Sequence, residues 1–347
     1  MMEEKVLLVG DDSYEMYAKA FYKSFQKLGY KNVSLFATNR YMEGHGSIGK
    51  LLMRAQNKLA YGCSVTKVNK KLLETIKNEK PELVFLYSSR LIYPKVIKKI
   101  KDFGCKVFMY NNDNPFAPYF PKYFWRHYIG GLQYADYGFV YRQSNVEDYK
   151  KSGCENVEIL RSYYIEDRNF YVEHPKKKVP EVVFLGHNEP DEREGYIRNL
   201  LKKDICVGVM QKSWEEFEPE NPLAVKLSDS HKYYNEMLNA AKIAIVFLSK
   251  INHDTYTRRC FEIPATKTLM VAPYTDDIAS MFEDGKEVVL YRDEQEFVEK
   301  IQYYLEHEDE RMRIANAGYE RLMRDGHEVS DRVEQVMGAY KRICDRK

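Results

Sequence analysis

The 347-residue chain has no hydrophobic run long enough to cross a membrane. The longest, Ala240–Ala241 continuing around Lys242 through Ile243 to Leu248, falls far short of the roughly 20 residues a spanning helix needs. It also has no excess of one charge: 54 Lys and Arg stand against 52 Asp and Glu. No bulk field draws nucleic acid or an anionic membrane, so any anion site must be local. The six cysteines (Cys63, Cys105, Cys154, Cys206, Cys260, Cys344) are scattered and form no Cys-x-x-Cys. That spacing disfavours structural zinc and a disulfide framework, and it fits reduced thiols in the cytoplasm. The opening residues, Met1 to Lys5, lead straight into a strand-like run and lack the plan of a signal peptide. A cytoplasmic protein with no nucleic-acid partner and no integral membrane segment is expected. What the chain does have is 44% hydrophobic residues, enough for about two domains at roughly 100–200 residues each. It also has 29 tyrosines, whose flat faces suit sugar rings and interfaces but also simply fill cores.

Short apolar runs alternate with amphipathic stretches, twice over. Lys5–Gly10 is nearly all apolar, as expected of a strand buried on both faces of a parallel sheet. Ser13 is placed to cap a helix reaching Leu28, with Gly29 as its stop. Strands are predicted at Asn32–Ala37, Glu82–Ser88, Lys106–Asn111, Tyr137–Arg142 and Val157–Leu160, and a helix over Pro94–Phe103 closed by Gly104. At Glu173–Pro180 the pattern breaks into a polar, basic stretch that reads as a linker, its lysines solvated. The alternation then restarts: strand Glu181–Gly186, helix Asp191–Lys203, strand Ile205–Met210, helix His231–Ala241, strand Ile243–Leu248. A helix around Tyr256–Ala265, strand Thr268–Pro273, helix Thr275–Phe282 and strand Val288–Tyr291 follow. The tail reads as three helices broken near His307 and Asp325–Gly326. This is α/β architecture: a Rossmann-like unit over 1–172, a second over 181–328, and a terminal helix at 329–347 packing near their junction. Ligands of such sheets bind beyond the carboxyl ends of the strands, which predicts a cleft between the two.

The densest cluster of chemistry-bearing residues is Asn252 to Ala265, a loop and helix start after a strand's carboxyl end. A helix N-terminus there favours phosphate. Arg259 and Glu262 are three apart and share a face. Arginine forks onto a diphosphate, and glutamate accepts both hydroxyls of a ribose. The same spacing also makes an intrahelical ion pair on a solvated face.

The stretches Arg259 to Ala265, Pro273 to Asp277 and Phe282 to Val289, followed by Tyr303-Tyr304-Leu305 and Arg311-x-x-Ile314-Ala315-x-Ala317-Gly318, resemble the CgeB-like (spore-maturation type) glycosyltransferases. These belong to the GT-B group, in which two Rossmann-like doubly wound domains face each other across a nucleotide-sugar cleft. The likeness is specific over about Ser230 to Arg332 and loose over the N-terminal half. It implies transfer of a sugar from a nucleotide-sugar to a glycan, protein or small-molecule acceptor, with retention of configuration and no metal or other cofactor. In related retaining enzymes two glutamates seven residues apart hold the donor. Glu262 matches the second, which contacts the ribose, and Asp254 occupies the place of the first, beside the transferred sugar. Such enzymes hold the diphosphate with basic residues at the first two strand ends of the C-terminal domain. Here those ends read Gly186-His187-Asn188, with Arg193 further on, and Gln211-Lys212. Lys212 and Arg259 are therefore the main phosphate candidates and Arg193 a third. Gly186, His253, Tyr274 and Thr275 complete the donor-side set. Fixed cations aimed at the leaving diphosphate are the catalytic device such a site offers. The adjacent pairs Asp11-Asp12 and Asp276-Asp277 diverge and make poor joint metal ligands; the second most simply starts a helix.

The acceptor is expected on the first unit. Gly10-Asp11-Asp12-Ser13 follows the first strand, and Asn111 to Pro115 follows another and resembles an Asp-Asp-x-Pro-like element of the CgeB-like relatives. Asp113 is the candidate base or hydroxyl anchor; the alternative is a plain turn, since Asn, Asp and Pro form turns. His127, within an aromatic helix, reads as packed. Gly44-His45-Gly46-Ser47-Ile48-Gly49 matches G-x-G-x-x-G but follows the second strand and lacks the right context, so it reads as a flexible acceptor-side loop. Two other functions use the same architecture: a nucleotide-sugar-binding structural protein without catalysis, and a nucleotide-sugar epimerase.

Overall fold

A computed structural model describes residues 4–42, 44 and 46–345. The chain divides into two compact units, one of residues 1–162 with 329–347 and one of 163–328.

Unit 1 contains β1 (Val6–Gly10), α1 (Ala18–Lys27), β2 (Val33–Ala37), α2 (Gly46–Leu59), α3 (Cys63–Glu79), β3 (Leu83–Tyr87) and α4 (Pro94–Asp102). It continues with β4 (Lys106–Asn111), α5 (Arg126–Gly131), β5 (Tyr137–Val140), α6 (Asn145–Lys151) and β6 (Val157–Ile159). The six strands are parallel in the order β2-β1-β3-β4-β5-β6, with Val6 opposite both Val33 and Leu83. β1, β3 and nearly all of β4 are buried on both faces, which is why they read as unbroken apolar runs. Gly29 and Gly104 take positive φ where α1 and α4 stop.

Unit 2 holds β7 (Val182–Phe184), α7 (Arg193–Leu201), β8 (Val207–Met210), α8 (Gln211–Trp214), β9 (Ala224–Leu227), α9 (His231–Ala240) and β10 (Ile243–Ile245). α10 (Arg259–Glu262), β11 (Leu269–Pro273), α11 (Asp276–Met281), β12 (Val289–Tyr291), α12 (Glu294–Glu306) and α13 (Glu308–Arg324) follow. α14 (Val329–Cys344) returns to unit 1 and packs on α1. The second sheet is also all parallel, in the order β12-β11-β10-β7-β8-β9. Each sheet reverses its winding once, between β1 and β3 in the first and between β7 and β10 in the second. These switch points are where side chains can converge beyond the strand ends.

Four expectations are corrected. Helix α1 begins at Ala18, not near Ser13. The Asp11 carboxylate takes the Ser13 N–H (2.7 Å) and Asn39 takes the Asp12 N–H (3.1 Å), which holds this stretch as a loop for another turn. The expected flexible loop at 44–49 is largely helix, since Gly46 opens α2; Glu43 and His45 lie outside the described residues. The first unit ends at 162, not 172. Phe170 and Val172 donate their N–H groups to Asn235 and Asn239 of α9 (3.1 and 2.6 Å), which fastens 163–172 to unit 2. The 173–180 segment is irregular as expected, but it lies within unit 2; the chain crosses between units at 162–163 and 328–329. β9 and α8 went unpredicted, and α10 is a single turn because Pro264 cannot continue it.

Candidate donor and acceptor sites

In unit 2 the candidates gather along the carboxyl edge of the sheet, in two groups. The first surrounds Phe184, the last residue of β7. The guanidinium of Arg259 lies over its ring at 5.4 Å. Beside it is Gly186, where a Cβ would stand 2.5 Å from the Phe184 ring and 3.1 Å from Arg259 Cζ; a side chain there would collide with the ring and crowd the arginine. The Gly186 carbonyl accepts a hydrogen bond from the Trp214 indole (2.9 Å), tying the end of β7 to α8. Arg259 makes no ion pair and no side-chain hydrogen bond among the described residues, and its Nε is buried without a partner. The intrahelical pair with Glu262 does not form. Glu262 is instead buried and accepts the hydroxyl of Tyr234 through Oε2 (3.0 Å), while Oε1 bonds nothing among the described residues. Burial, and then the Glu262 charge, push the Tyr234 hydroxyl well above its usual range, so it stays a donor.

Two more polar atoms nearby, Asn188 Oδ1 after β7 and Ser213 Oγ after β8, are buried without partners. Buried polar groups are nearly always satisfied, so these unpartnered atoms after β7 and β8 make the carboxyl edge of the two strands the candidate place for a polar ligand. Lys212 sits on α8 next to Ser213; its side chain is exposed and makes no ion pair among the described residues. The one-turn α10 is too short to carry a helix-end field, which removes that part of the expectation.

The second group lines a cavity of about 640 Å³ at the ends of β10, β11 and β12. Arg193, His253, Asp254 and Tyr274 all line it, with Phe247 and Tyr291 as aromatic walls. His253 takes a left-handed φ of 55°, and the Asp254 N–H closes the turn onto the Ser249 carbonyl (2.9 Å). Tyr274 is 40% exposed, with the Arg292 guanidinium 4.3 Å from its ring centre. The Thr275 hydroxyl is already engaged: its Oγ1 caps α11 by accepting the Ile278 N–H (3.1 Å) and donates to the Thr255 carbonyl (2.6 Å). Arg193, the third phosphate candidate, is not free either. Its side chain is 2% exposed and forks onto Asp191 (2.7 and 2.6 Å), with a further bond to the His187 carbonyl (2.6 Å). Asp191→Asn is therefore expected to cost about 2 kcal/mol of stability, the scale of a hydrogen bond to a buried charge, as a lowered denaturant midpoint. An unchanged midpoint would mean that Arg193 does not depend on this pair.

In unit 1 a cavity of about 240 Å³ opens at the β1–β3 switch point, and both Asp11 and Asp113 line it. The turn alternative accounts for Asn111 and Asn114, whose Oδ1 atoms accept the Asp113 and Phe116 N–H groups (3.3 and 3.0 Å). It does not account for the Asp113 carboxyl, which makes no hydrogen bond or ion pair among the described residues. Burial raises its pKa above the ordinary value, opposed only by the charge of Arg142. Sequence reading missed Arg90 on the same wall, whose Nη2 donates to Asn57 (2.7 Å) and whose Nη1 is buried without a partner. The available signal was a lone cation three residues past a strand's carboxyl end. Gly10 and Asp12 turn out to be structural. A Cβ on Gly10 would meet that of Ala18 at 2.6 Å, so this glycine seats α1 on β1. Asp12 is paired with Arg40 (Nε 2.9 Å); although burial works the other way, hydrogen bonds from Asn39 and Arg40 hold its carboxyl below the usual range. His127 is packed as expected, against Tyr93, with Nε2 2.9 Å from the Ala60 carbonyl oxygen. Among the described residues, no three His, Cys, Asp or Glu side chains converge as a metal-ligand set.

Residues 197–338 match the family model described as glycosyl transferase-like. A search of curated proteins gives no match. Among solved structures, sucrose-phosphate synthase from Thermosynechococcus elongatus is similar at a TM-score of 0.75 and 11% identity, over 99% of this chain and 100% of that one. A glycosyltransferase from Rickettsia africae gives 0.71 and 12%, over 99% and 100%. Anabaena HepE in complex with UDP-glucose gives 0.68 and 12%, over 97% and 99%. The chain thus has the GT-B fold of glycosyltransferase enzymes and carries a glycosyl transferase-like domain over residues 197–338.

Proposed function

We propose that this protein is a cytoplasmic glycosyltransferase of the CgeB-like type, moving a sugar from a nucleoside diphosphate donor to a hydroxyl acceptor with retention and without a metal. The observation that carries the reading is the Arg259 guanidinium: half-buried, unpaired, and held against Gly186 at the β7–β10 switch point. A desolvated cation with no counter-ion is costly to keep, and a diphosphate supplies the missing charge. Glu262, with one oxygen bound by Tyr234 and the other unused, is suited to a ribose diol. The aromatic-walled cavity at the ends of β10, β11 and β12 would take the rest of the donor, with Asp254, on its lining, toward the sugar. HepE in complex with UDP-glucose supports a uridine donor as the first to try. Arg259, with Lys212 able to swing in from α8, would stabilise the charge that gathers on the diphosphate as the glycosidic bond breaks. In unit 1, Asp113 would receive the acceptor hydroxyl.

Incubation with UDP-glucose and other nucleotide-sugars tests the reading. Free nucleoside diphosphate with slow hydrolysis supports it; an isomerised sugar, or binding without turnover, sinks it. Glu262→Ala is expected to weaken UDP binding by about 1.5–3 kcal/mol, the value of a hydrogen bond to a charged group. Unchanged affinity by calorimetry removes Glu262 from the site.

A further inference from the structure

Helix α2 is turned inside out relative to a soluble helix. It holds onto unit 1 through polar side chains: Asn57 accepts from Arg90 (2.7 Å) and Gln56 accepts the Ser64 N–H (2.8 Å). No side chain of the helix is buried. Its isoleucine and leucines face outward, with Ile48 76%, Leu51 66%, Leu52 56% and Leu59 46% exposed. Positions i, i+3, i+4 and i+11 form one stripe along the helix. Elsewhere among the described residues, exposed large apolar side chains fall singly or in a neighbouring pair along the sequence. Lys50, Arg54 and Lys58, spaced i, i+4, i+8, make a second exposed row along the stripe, and none has an ion-pair partner among the described residues. No Asp or Glu occurs from Gly44 to Leu73, in a chain whose total charge is only +2. The nearly neutral protein thus concentrates positive charge around one apolar stripe.

We infer that α2 docks this protein on an anionic membrane surface, the leucine stripe entering the headgroup–acyl boundary and the basic row resting on lipid phosphates. An apolar stripe flanked by cations on one helix is the chemistry of interfacial membrane binding. No helix among the described residues is long and apolar enough to cross a membrane, so the contact is interfacial. A nucleic-acid backbone would satisfy the cations and leave the leucines in water. A second copy meeting this face symmetrically would bring the same basic row against itself. The anionic bilayer alone satisfies both rows. Through Asn57 the helix also walls the Asp113 cavity, which places that cavity within about one helix diameter, ~10 Å, of the docked face.

The inference does not depend on the glycosyl-transfer reading, because the test measures binding without turnover. The full chain is sedimented with phosphatidylcholine vesicles, with and without phosphatidylglycerol, at low and high salt. It should bind the anionic vesicles, release in salt, and ignore the neutral ones. Leu51→Ser with Leu52→Ser, and separately Lys50→Gln with Arg54→Gln and Lys58→Gln, should each cut the partition coefficient about tenfold or more. All five side chains are exposed, so melting temperatures should hold; a variant that fails to fold is replaced by Ile48→Ser or Lys58→Gln alone. Absence of binding to anionic vesicles overturns the inference. So does equal binding by both variant sets, or a wild-type dimer that Leu51→Ser dissociates.

Discussion

Arg259→Ala is expected to lower turnover by about 10²–10³-fold, the cost of removing one fixed donor from a developing anion. Its guanidinium makes no hydrogen bond among the described residues, so the fold loses little beyond the stacking on Phe184. Melting temperature should therefore barely move, which separates this outcome from unfolding. The effect should fall on kcat more than on nucleotide affinity, because the diphosphate gains charge as the bond to the sugar breaks. Arg259→Lys should recover only part of the rate, since an ammonium cannot fork onto two phosphate oxygens. Lys212→Ala should act in the same direction but more weakly, its side chain being exposed to solvent. If Arg259→Ala raises only KM, the residue holds the ground state and the charge-stabilising role is wrong.

How much of this could be read from the sequence depends on how local each determinant is. The β4 strand at Lys106–Asn111 and the stops at Gly29 and Gly104 were legible, because period, burial and positive φ are written within a few residues. The place of Arg259 and Glu262 after a parallel strand was legible for the same reason. What was not legible depends on distant partners. Asn39 and Arg40 claim Asp12 from 27 and 28 residues away, so an acidic pair that reads as a site is a loop anchor. Asn235 and Asn239 claim residues 170–172 from α9, so the polar stretch after them looked like a boundary and is not one. Arg193 looked like a phosphate ligand by position, but Asp191 lies only two residues before it, and nothing in the spacing says that both are buried. α2 was missed for a different reason: a helix whose leucines face outward gives the same period as one whose leucines face in. Its two glycines, Gly46 and Gly49, then weighed toward a loop.

Replacing Asp113 with Asn is expected to lower sugar transfer by about 10²–10⁴-fold, the range spanned by a positioned general base. Nucleotide binding and slow donor hydrolysis should remain, since the proposed donor site lies in unit 2. The pH dependence follows from the same carboxyl. Burial raises its pKa, with Arg142 pulling the other way, so the ionised form that can take a proton appears at higher pH than for an ordinary aspartate. The acid limb of the transfer profile should shift upward accordingly. Linkage fixes the sign for stability. A carboxyl whose folded pKa is raised favours the folded state only while protonated. As pH climbs from the unfolded value, about 3.9, through the folded one, stability is lost, and above both the whole penalty is present. Asp113→Asn removes that penalty, so the variant should be more stable than the parent at pH 7, and the gap should close in acid. A residue serving only as a turn former would part from this at the first result: its asparagine variant keeps the turn and transfers at the parental rate, while the stability gain, which follows from burial alone, is expected in either case. Loss of transfer together with a gain in stability at neutral pH is the signature of a carboxylate kept for chemistry at the expense of the fold.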